Sequence, residues 1–441
     1  MQESAGENPL LGSVPQGAVT AEPLKLSMLD AIQRGLKYNL GTILAEQGSA
    51  FAAGQRYRAL SALLPNLEGH FADSSQQINL KAYGFPVLPG QQYVYGPFSV
   101  TDIRATVNSN VLNLNELNRY RAARDNERAA QFSYRNTRDL VVLAVGYQYL
   151  LALADASRVE SAEAQVATAD ALYKQAVDHH QAGLVPNIDV LRAQVELQAQ
   201  QQRLLVLQND YAKQLLAVTR VIGLPSGQKI ELTDRIPPPA PIVGNFDDDL
   251  KTAYENRSDF KQAQAVLAAA EHTRSAALAE HLPSLSFAGD YGVIGPSPTQ
   301  NHETFSAAAV VRVPIFEGGR IKGDVMQADA QLKRAQAQLD DLRGRIEYEI
   351  RTSLLDVDAA TKQLVVASSN LELAREQVRQ SRDRFKAGVT DNLEVVQAQE
   401  AQAAAEENYI AALFAHNFAK LALARAMGIA ESVTKTFLGG R

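Results

Sequence analysis

The feature that most constrains this chain is an internal duplication centred on two similar stretches. Gln181–Leu191 reads QAGLVPNIDVL, and Lys386–Val396, 205 positions later, reads KAGVTDNLEVV. Each stretch follows a long apolar heptad pattern and precedes another. Ala-Gly is typical of a helix end, because Gly tolerates the left-handed conformation just past the last turn. Asn187 and Asn392, or the Asp beside each, are predicted to cap the next helix. The chain is therefore predicted to contain two copies of one long helical hairpin.

The repeat extends beyond these two tips. Arg220–Leu224 matches Arg425–Ile429 at the same offset of 205 positions. Nearer the N-terminus, Leu64–Leu67 matches Leu282–Leu285, but at an offset of 218. We therefore expect the two copies to differ in length between the Leu-Pro signal and the long helices.

Composition excludes several classes of function. The 441 residues include no cysteine, which removes disulfides, thiolate chemistry and cysteine-based zinc sites. The net charge of −6 is mild and no basic block stands out, so nucleic acid is not expected as a partner. Nucleotide, zinc-protease and serine-hydrolase motifs are absent, so no catalytic residue, metal or cofactor is expected.

Neither a membrane-spanning helix nor a signal peptide is expected from the sequence. No run of about 18 apolar residues was found, so we predict no transmembrane helix. The first nine residues lack the basic and apolar regions of a signal peptide. If the protein is exported, we expect that its signal has already been removed.

Local patterning predicts helix, strand, loop, strand and long helical hairpin in each copy. Ser27 is predicted to cap a helical segment that runs to Leu64 and is stopped by Pro65. The pattern then alternates with period two, as in a pair of strands joined by an aromatic loop. In the second long helix, 3-4 spacing predicts one buried stripe: Leu332, Ala335, Leu339, Leu342, Ile346, Leu371, Ala374, Val378, Ser381 and Phe385.

These patterns divide the chain into nine segments, named here in order. The first copy comprises an extended arm (1–22), a short helical segment (23–65), a β-hairpin (66–111) with an outer loop (78–98), and a long helical hairpin (112–225) with its tip at 182–189. A Pro-rich connector (226–245) leads to the second copy, with a short helical segment (246–283), a β-hairpin (284–316), a long helical hairpin (317–429) with its tip at 387–394, and a tail (430–441).

Four strands leave two open sheet edges, which a protein must cover or pair. Strands of about ten residues are long enough to cross a bilayer when tilted. Three chains could close a barrel of about twelve strands and so satisfy every backbone group. A small soluble β-sheet that caps a helical rod explains the same pattern, and periodicity alone leaves both interpretations open.

Three motifs give the chain a resemblance to the TolC-like outer-membrane efflux proteins. They are the Leu-Pro-x-Leu entry into strands, the run Val313–Gly319 (VPIFEGG) before a long helix, and the paired Ala-Gly tips. The resemblance implies a mixed fold, in which four strands per protomer contribute to a trimeric twelve-stranded membrane β-barrel that continues into a long α-helical coiled-coil barrel.

The same resemblance implies a function and a location. The chain is expected to be the channel of a tripartite efflux or type I secretion system in the outer membrane of a Gram-negative bacterium, extending into the periplasm. Its expected partners are two sister chains, outer-membrane lipid, a periplasmic adaptor and an inner-membrane pump of the RND, ABC or MFS type. A soluble coiled-coil scaffold with a small β cap is the alternative, and it predicts extraction in buffer without detergent.

The resemblance also implies a periplasmic gate at the hairpin tips. Glu394 and Gln397 occupy positions where the family's best-known pattern has two acids that narrow the closed entrance. Three-fold symmetry turns each acid into a ring of like charge. Asp391 lies nearby, and Asp189 matches a position that helps to tie the tip shut in relatives. An acid near a helix N-terminus, favoured by the helix dipole, is the simpler interpretation of these carboxylates.

Two further surfaces follow from the resemblance. Adaptor contact is expected at the tips, through Gly183, Leu184, Val185, Gly388, Val389 and Thr390, although a helix-ending turn explains the same residues. An aromatic girdle or plug of the outer mouth is expected from Tyr83, Phe85, Tyr93, Tyr95 and Phe98, with a self-packed loop as the alternative. His179 and His180 are adjacent on a helix and do not share a face, which argues against a metal site.

Overall fold

The computed structural model describes residues 8–86, 90, 92–235, 245–387, 389, 390 and 392–432. The chain divides into two compact units. The first unit combines the described residues up to Gly48 with Gln131–Lys261 and the described residues from Asp341 onward. The second unit comprises Ser49–Ala130 and Gln262–Asp340. Part of the Pro-rich connector (236–244) and the end of the tail (433–441) lie outside the described residues.

The elements repeat in the same order in the two copies. The first copy consists of β1 (Leu24–Leu26), α1 (Met28–Tyr38), α2 (Leu40–Ser61), β2 (Asn66–Asn79), β3 (Val94–Leu112), α3 (Leu114–Gln181) and α4 (Asn187–Val221). The second copy consists of β4 (Ile230–Leu232), α5 (Phe246–Asn256), α6 (Ser258–Ala279), β5 (Ser284–Gly295), β6 (His302–Arg312), α7 (Arg320–Lys386) and α8 (Asn392–Ala426). A short 3-10 helix at Pro9–Leu11 precedes both.

The two offsets in the sequence locate the length difference between the copies. From α1 to the start of β2, each element begins 218 residues before its counterpart, whereas α4 and α8 are 205 residues apart. The additional residues therefore belong to the β2–β3 hairpin, whose strands have 14 and 19 residues against 12 and 11 in β5 and β6. These lengths agree with the predicted difference between the copies, and α3, α4, α7 and α8 lie within the two predicted helical hairpins.

The short helical segment of each copy is two helices, not the single one predicted for Ser27–Leu64. Ser27 forms the predicted cap, in a capping box with Asp30. The helix breaks at Asn39, which is extended and whose amide donates to the carbonyl oxygens of Leu10 and Val221. In the second copy, the corresponding break between the two helices lies at Arg257, 218 residues later, which donates to the carbonyl oxygen of Ala426. Both side chains bind the end of their copy's last long helix, a tertiary contact that periodicity does not reveal.

The tips are partly as predicted. Gly183 is in the left-handed conformation with φ 73°, and Leu184 N donates to His179 O as Val389 N donates to Arg384 O in the second copy. The predicted cap by Asn187 is wrong, because Pro186 occupies the N-cap position and makes no side-chain cap hydrogen bond. Rigid φ at Pro186 suits the entry to a helix without such a bond.

Strands of both units pair within the described chain. In the second unit, β2, β3, β5 and β6 form one antiparallel sheet in that order, so β2 and β6 are its edges. In the first unit, β1 pairs in parallel with β4. This two-stranded sheet was not predicted from the sequence, because strands of three residues are too short to show a periodic pattern.

The core of the first unit is built around the middle of α3. Val141, Val142, Val145, Tyr149 and Leu150 are buried there, and they pack with residues from α1, α4 and α8. By length and hydropathy, α3 is also long and apolar enough to cross a membrane, which corrects the expectation that no segment qualifies. Half of its most apolar window is buried inside the protein, so we interpret this run as a core helix.

The predicted stripe of α7 is buried over most of its length. Nine of its ten residues, all except Leu332, are nine per cent exposed or less. Two small clusters account for part of this burial in the first unit. Leu364 packs with Ala412 and Leu413, and Leu371 and Ala374 pack with Ala405, so α7 and α8 are held together by small side chains at close approach.

A buried carboxylate gives the first unit a predictable pH dependence. Burial raises the pKa of Asp139 to about 6, an effect that the positive charge of Arg425 partly offsets. Because the pKa of Asp139 is higher in the folded state than in the unfolded state, the protonated carboxyl group favours the folded state. This contribution to stability is complete below about pH 4 and is lost as the pH rises through 6. Asp139→Asn should therefore raise the free energy of unfolding at pH 8 by about 2–3 kcal/mol and change it little at pH 4.

Guanidinium-induced unfolding at pH 4, 6 and 8 measures this difference. Asp358→Asn is the matched control, because Asp358 is exposed and pairs with Lys362 on its own helix. A constant difference between Asp139→Asn and the unmodified chain at all three pH values would contradict the assignment.

Candidate functional site

The four-stranded sheet has one apolar and one polar face. Cross-strand register places the apolar side chains together: Leu67, Gly69 and Phe71 of β2, Ile103, Ala105 and Val107 of β3, Leu285, Phe287, Gly289, Tyr291 and Val293 of β5, and Phe305, Ala307, Ala309 and Val311 of β6. Phe71 and Phe305 are 67% and 79% exposed, so the part of the chain that the structure describes does not cover the apolar face. An uncovered apolar sheet face of this size requires lipid or another protein surface.

The opposite face is polar in every strand. Three rows of opposed residues cross the sheet there: Ala72, Asp102, Ile294 and His302; His70, Arg104, Gly292 and Thr304; and Glu68, Thr106, Asp290 and Ser306. A sheet with one apolar and one polar face is typical of a strand layer between lipid and a water-filled lumen. The alternation of residues along β2 and β6 was visible in the sequence. Which residues of the four strands share a face became clear only from the register between the strands.

The aromatic residues of the outer hairpin are all exposed. Tyr83, Phe85 and Tyr93 lie between the two strands and are 73%, 61% and 48% exposed. Tyr95 and Phe98 belong to β3, because this strand begins at Val94 and the loop is shorter than the predicted 78–98. Lys81 Nζ lies 5.2 Å from the Tyr93 ring centroid. These described side chains do not form a self-packed cluster.

At the first tip, the predicted contact residues are at the surface and the predicted gate acid is buried. Leu184 is 71% exposed, whereas Val185 is partly buried and its carbonyl oxygen lies 2.9 Å from His180 Nδ1. Asp189 is 9% exposed and its Oδ1 lies 3.4 Å from Arg192 NH1 on the same helix. Its described ion pair is thus internal to α4 and does not join the two tips.

At the second tip, Glu394 is held by three side chains. It accepts hydrogen bonds from Thr390 and, at 3.5 Å, from Ser381, and its Oε1 lies 3.5 Å from Arg384 NH1. Gln397 and Val389 are exposed, Val389 to 69%. Gly388 and Asp391 lie outside the described residues. The structure therefore places Glu394, Gln397, Val389 and Thr390 in one short region at the start of α8.

The two tips meet through a small apolar cluster. Leu172 of α3 packs with Phe385 of α7 and Val395 of α8, and the His179 ring stacks on Phe385 with centroids 6.1 Å apart. Hence Glu394 and Asp189 lie on hairpins that contact each other within one chain. His179 thus packs against an aromatic ring in the contact between the two hairpins.

Two helices of the first unit carry apolar stripes that no described residue covers. On α4 the stripe comprises Ile188, Leu191, Val195, Leu205 and Leu216, each at least 49% exposed. On α7 it comprises Tyr348, Leu355, Val366 and Leu373, each at least 67% exposed. Both follow a coiled-coil repeat with polar residues at some positions. These stripes were not predicted, because periodicity cannot separate a stripe that packs within the chain from one that does not.

A polar cavity of about 120 Å³ lies beside the tips, among α3, α4, α7 and α8. Four of its lining side chains have buried atoms without a described protein partner: Gln165 Oε1, Gln200 Oε1, Arg382 Nε and Gln399 Nε2. A site of this size and polarity suits several ordered waters. Gln165, Gln200 and Gln399 thus line a polar cavity between the two hairpins.

Comparison with known proteins identifies the class to which this architecture belongs. Among solved structures, the Campylobacter jejuni CmeC outer membrane channel matches with a TM-score of 0.79 at 16% identity, covering 96% of this chain and 92% of CmeC. The outer membrane protein VceC of Vibrio cholerae matches with a TM-score of 0.77 at 16% identity, covering 91% and 96%. The fold is that of the TolC-like outer membrane channels.

Family assignment rests on the sequence itself. The model of the family described as "Outer membrane efflux protein" matches residues 59–224 and 250–429, so the chain belongs to this family. Pyoverdine export outer membrane protein OpmQ of Pseudomonas aeruginosa is 25% identical over 319 residues, 70% of this chain and 65% of OpmQ. Protein CyaE of Bordetella pertussis is 26% identical over 243 residues, 52% of this chain and 49% of CyaE. The matched part of this chain thus spans about two thirds or less of these relatives.

The family confirms the central predictions. The TolC-like fold, the outer-membrane location and an efflux channel in place of an enzyme are confirmed at the level of the family. The alternative of a soluble scaffold is wrong at this level.

Proposed function

We propose that three copies of this chain form a passive export duct through the outer membrane. The observation that carries this proposal is the sheet with two unpaired edges, β2 and β6, and one uncovered apolar face. In hydrocarbon every backbone group needs a partner, so an open sheet must close into a barrel. If β6 of each copy pairs with β2 of the next, three copies close a ring of twelve strands.

The uncovered helical stripes support the same stoichiometry. The stripe of α4 on one copy would pack against the stripe of α7 on the next, as the two edges of the sheet would pair. This contact is head-to-tail, and such contacts form rings when the rotation between copies closes. The exposed positions then become a coiled-coil seam between copies.

The tips are the proposed contact with a periplasmic adaptor, which connects the duct to an inner-membrane pump. Leu184 and Val389 support this assignment, because large apolar residues at the ends of long helices are 71% and 69% exposed. Val185, Thr390, Gly183 and the undescribed Gly388 complete the proposed surface. The relatives are named for pyoverdine export and, in others, antibiotic and toluene efflux, and we propose that the substrate here is likewise delivered by the pump.

The proposal is tested on purified protein in detergent. Light scattering should give three chains per particle, and reconstitution into planar bilayers should give single-channel currents. A monomer that stays soluble in buffer and conducts no current would overturn the proposal. Loss of the trimer on Leu205→Glu, with Arg203→Glu at a neighbouring polar position as control, would place α4 in the contact between copies.

We also propose that Glu394 forms a negative ring at the periplasmic entrance, with Gln397 one turn further along α8. Glu394→Gln removes three charges from the trimer and should lower the cation-to-anion permeability ratio by about twofold. Planar-bilayer reversal potentials in a salt gradient measure this ratio.

A structural role for Glu394 makes a different prediction. As an acid in the first turn of α8, it would contribute about 0.3–1 kcal/mol through the helix dipole and leave selectivity unchanged. Asp189→Asn is the matched control, because Asp189 is another first-turn acid but is buried beside Arg192. Equal permeability ratios in Glu394→Gln and in the unmodified channel would remove Glu394 from the gate.

A further inference from the structure

Three charged side chains form a network on the polar face of the sheet. Arg104 Nε donates to Asp102 Oδ1 at 2.7 Å, and Arg104 NH1 donates to Asp290 Oδ1 at 2.8 Å. Ser306 donates to the other oxygen of Asp290. The three charged side chains are only 20–24% exposed although no other layer of the described chain covers this face. They shield one another, and the network joins β3, β5 and β6.

The strands approach closely beside this arginine. Gly292 lies opposite Arg104 on β5, and a Cβ at Gly292 would overlap the carbonyl oxygen of Ile103 and the Cα and Cβ atoms of Arg104. His70 lies opposite Arg104 on β2. Glycine at this position therefore lets β3 and β5 pack closely where one guanidinium lies between two carboxylates.

The two faces decide which medium this network meets. Facing lipid, three charged groups would be strongly destabilising, and the opposite face already carries the apolar side chains. In the proposed trimer the network therefore faces the lumen. Each copy contributes two carboxylates and one guanidinium, a net charge of −1, so three copies give a ring of −3.

Neighbouring charges strengthen this ring more than they oppose it. Glu68 lies in the same row as Asp290 and adds a negative charge on β2. Arg312, the nearest cation along β6, is six residues from Ser306, which is about 20 Å along the strand. That distance is about two Debye lengths at 0.1 M salt, so Arg312 is largely screened from the network.

We propose that Asp102, Arg104 and Asp290 form a selectivity belt inside the barrel that favours cations and cationic solutes over anions. The inference rests on the proposed trimeric duct and adds a second charged ring, separate from the one at the hairpin tips. The belt is a balance between one positive and two negative groups, so single substitutions can move its net charge in either direction.

Reversal potentials across planar bilayers test the belt with two variants of opposite sign. Arg104→Gln makes the ring more negative and should raise the cation-to-anion permeability ratio. Asp102→Asn with Asp290→Asn makes it positive and should lower the ratio on the order of threefold. Glu303→Gln is the matched control, since it removes a charge from β6 on the apolar face and should leave the ratio unchanged.

Each outcome separates this inference from the proposed function. Channels that conduct but show no opposite shifts in the two variants would overturn the belt and leave the duct intact, whereas absence of any current from the unmodified protein would overturn the duct. The shifts should persist in a Glu394→Gln background, which excludes the tip as their source.

If the variants at Asp102, Arg104 or Asp290 fail to assemble, a measurement that leaves these three residues unchanged still tests the belt. The Debye length shortens from about 10 Å at 0.1 M to about 3 Å at 1 M salt, so the selectivity of the Glu394→Gln channel should decline over this range. A ratio already equal to that of the ions in free solution at 0.1 M would overturn the belt without any change at Asp102, Arg104 or Asp290.

Discussion

Arg257→Ala is expected to reduce the free energy of unfolding by about 3–5 kcal/mol, the range for breaking a buried ion pair from one side. Arg257 is 2% exposed and makes a two-pronged contact with Asp259, from Nε to Oδ1 at 3.0 Å and from NH2 to Oδ2 at 2.7 Å. Its NH1 donates to Glu349 at 2.5 Å and to the carbonyl oxygen of Ala426 at 3.2 Å. Alanine would leave Asp259 and that carbonyl group without these partners.

The electrostatics of this cluster explain why the loss should be large. Burial would raise the pKa of Asp259, but its hydrogen bonds with Arg257 and the nearby positive charge hold that pKa below its usual value. Burial lowers the pKa of Arg425, and repulsion by Arg257 acts in the same direction. Removal of Arg257 thus deprives one buried carboxylate of its main partner and relieves one repulsion, and the first effect dominates because the carboxylate contact is direct.

Guanidinium unfolding followed by far-UV circular dichroism measures the effect. Arg257→Lys should recover only part of the stability, because an ammonium group cannot make the two-pronged contact. Glu349→Gln is the control for a half-exposed partner and should cost less than about 1 kcal/mol. If Arg257→Ala were as stable as Glu349→Gln, the cluster would not hold the end of α8.

Ala307→Lys and Ala308→Lys are expected to behave differently, although the two alanines are adjacent and both exposed. Ala307 lies on the apolar face opposite Gly289, near the middle of the apolar rows. Lysine at the centre of a lipid-facing surface costs about 2–4 kcal/mol, and three copies would each incur this cost. Ala308 lies on the polar face opposite Ala288, where a lysine would project into water.

The comparison is made by the amount of detergent-resistant oligomer recovered from membranes. We expect a large loss for Ala307→Lys and near-normal recovery for Ala308→Lys. Ala307→Ser controls for loss of the alanine itself without a charge. If Ala308→Lys lost more oligomer than Ala307→Lys, the polar face would be the one in contact with lipid. The proposed selectivity belt would then not line the lumen.

Much of the fold was predictable because it depends on local periodicity repeated twice. The offsets of 205 and 218 predicted two copies, and heptad spacing predicted which residues of α7 are buried, such as Leu339 and Ile346. Gly183 was predictable from its turn chemistry, since it is in the left-handed conformation that Gly adopts most readily. The alternation in β6 likewise predicted which side chains share its apolar face.

The candidate site was less predictable, because it depends on pairing between distant residues. Resemblance to a family directed attention to Glu394 and the tips, but neither the contacts of Glu394 with Ser381 and Arg384 nor the ion pair of Asp189 with Arg192 was predicted. The network of Asp102, Arg104 and Asp290 joins strands that are far apart in sequence and was not predicted at all.

By itself, therefore, the sequence determined the elements, their duplication and the side of each element that is apolar, since these follow from interactions between residues a few positions apart. Only the tertiary structure decided which partners those sides meet. Register across four strands separates an apolar from a polar face, and long-range contacts explain why Asn39 and Arg257 interrupt helices that local propensity would continue. The partner that buries a side chain is a property of the assembled chain, and no local pattern identifies it.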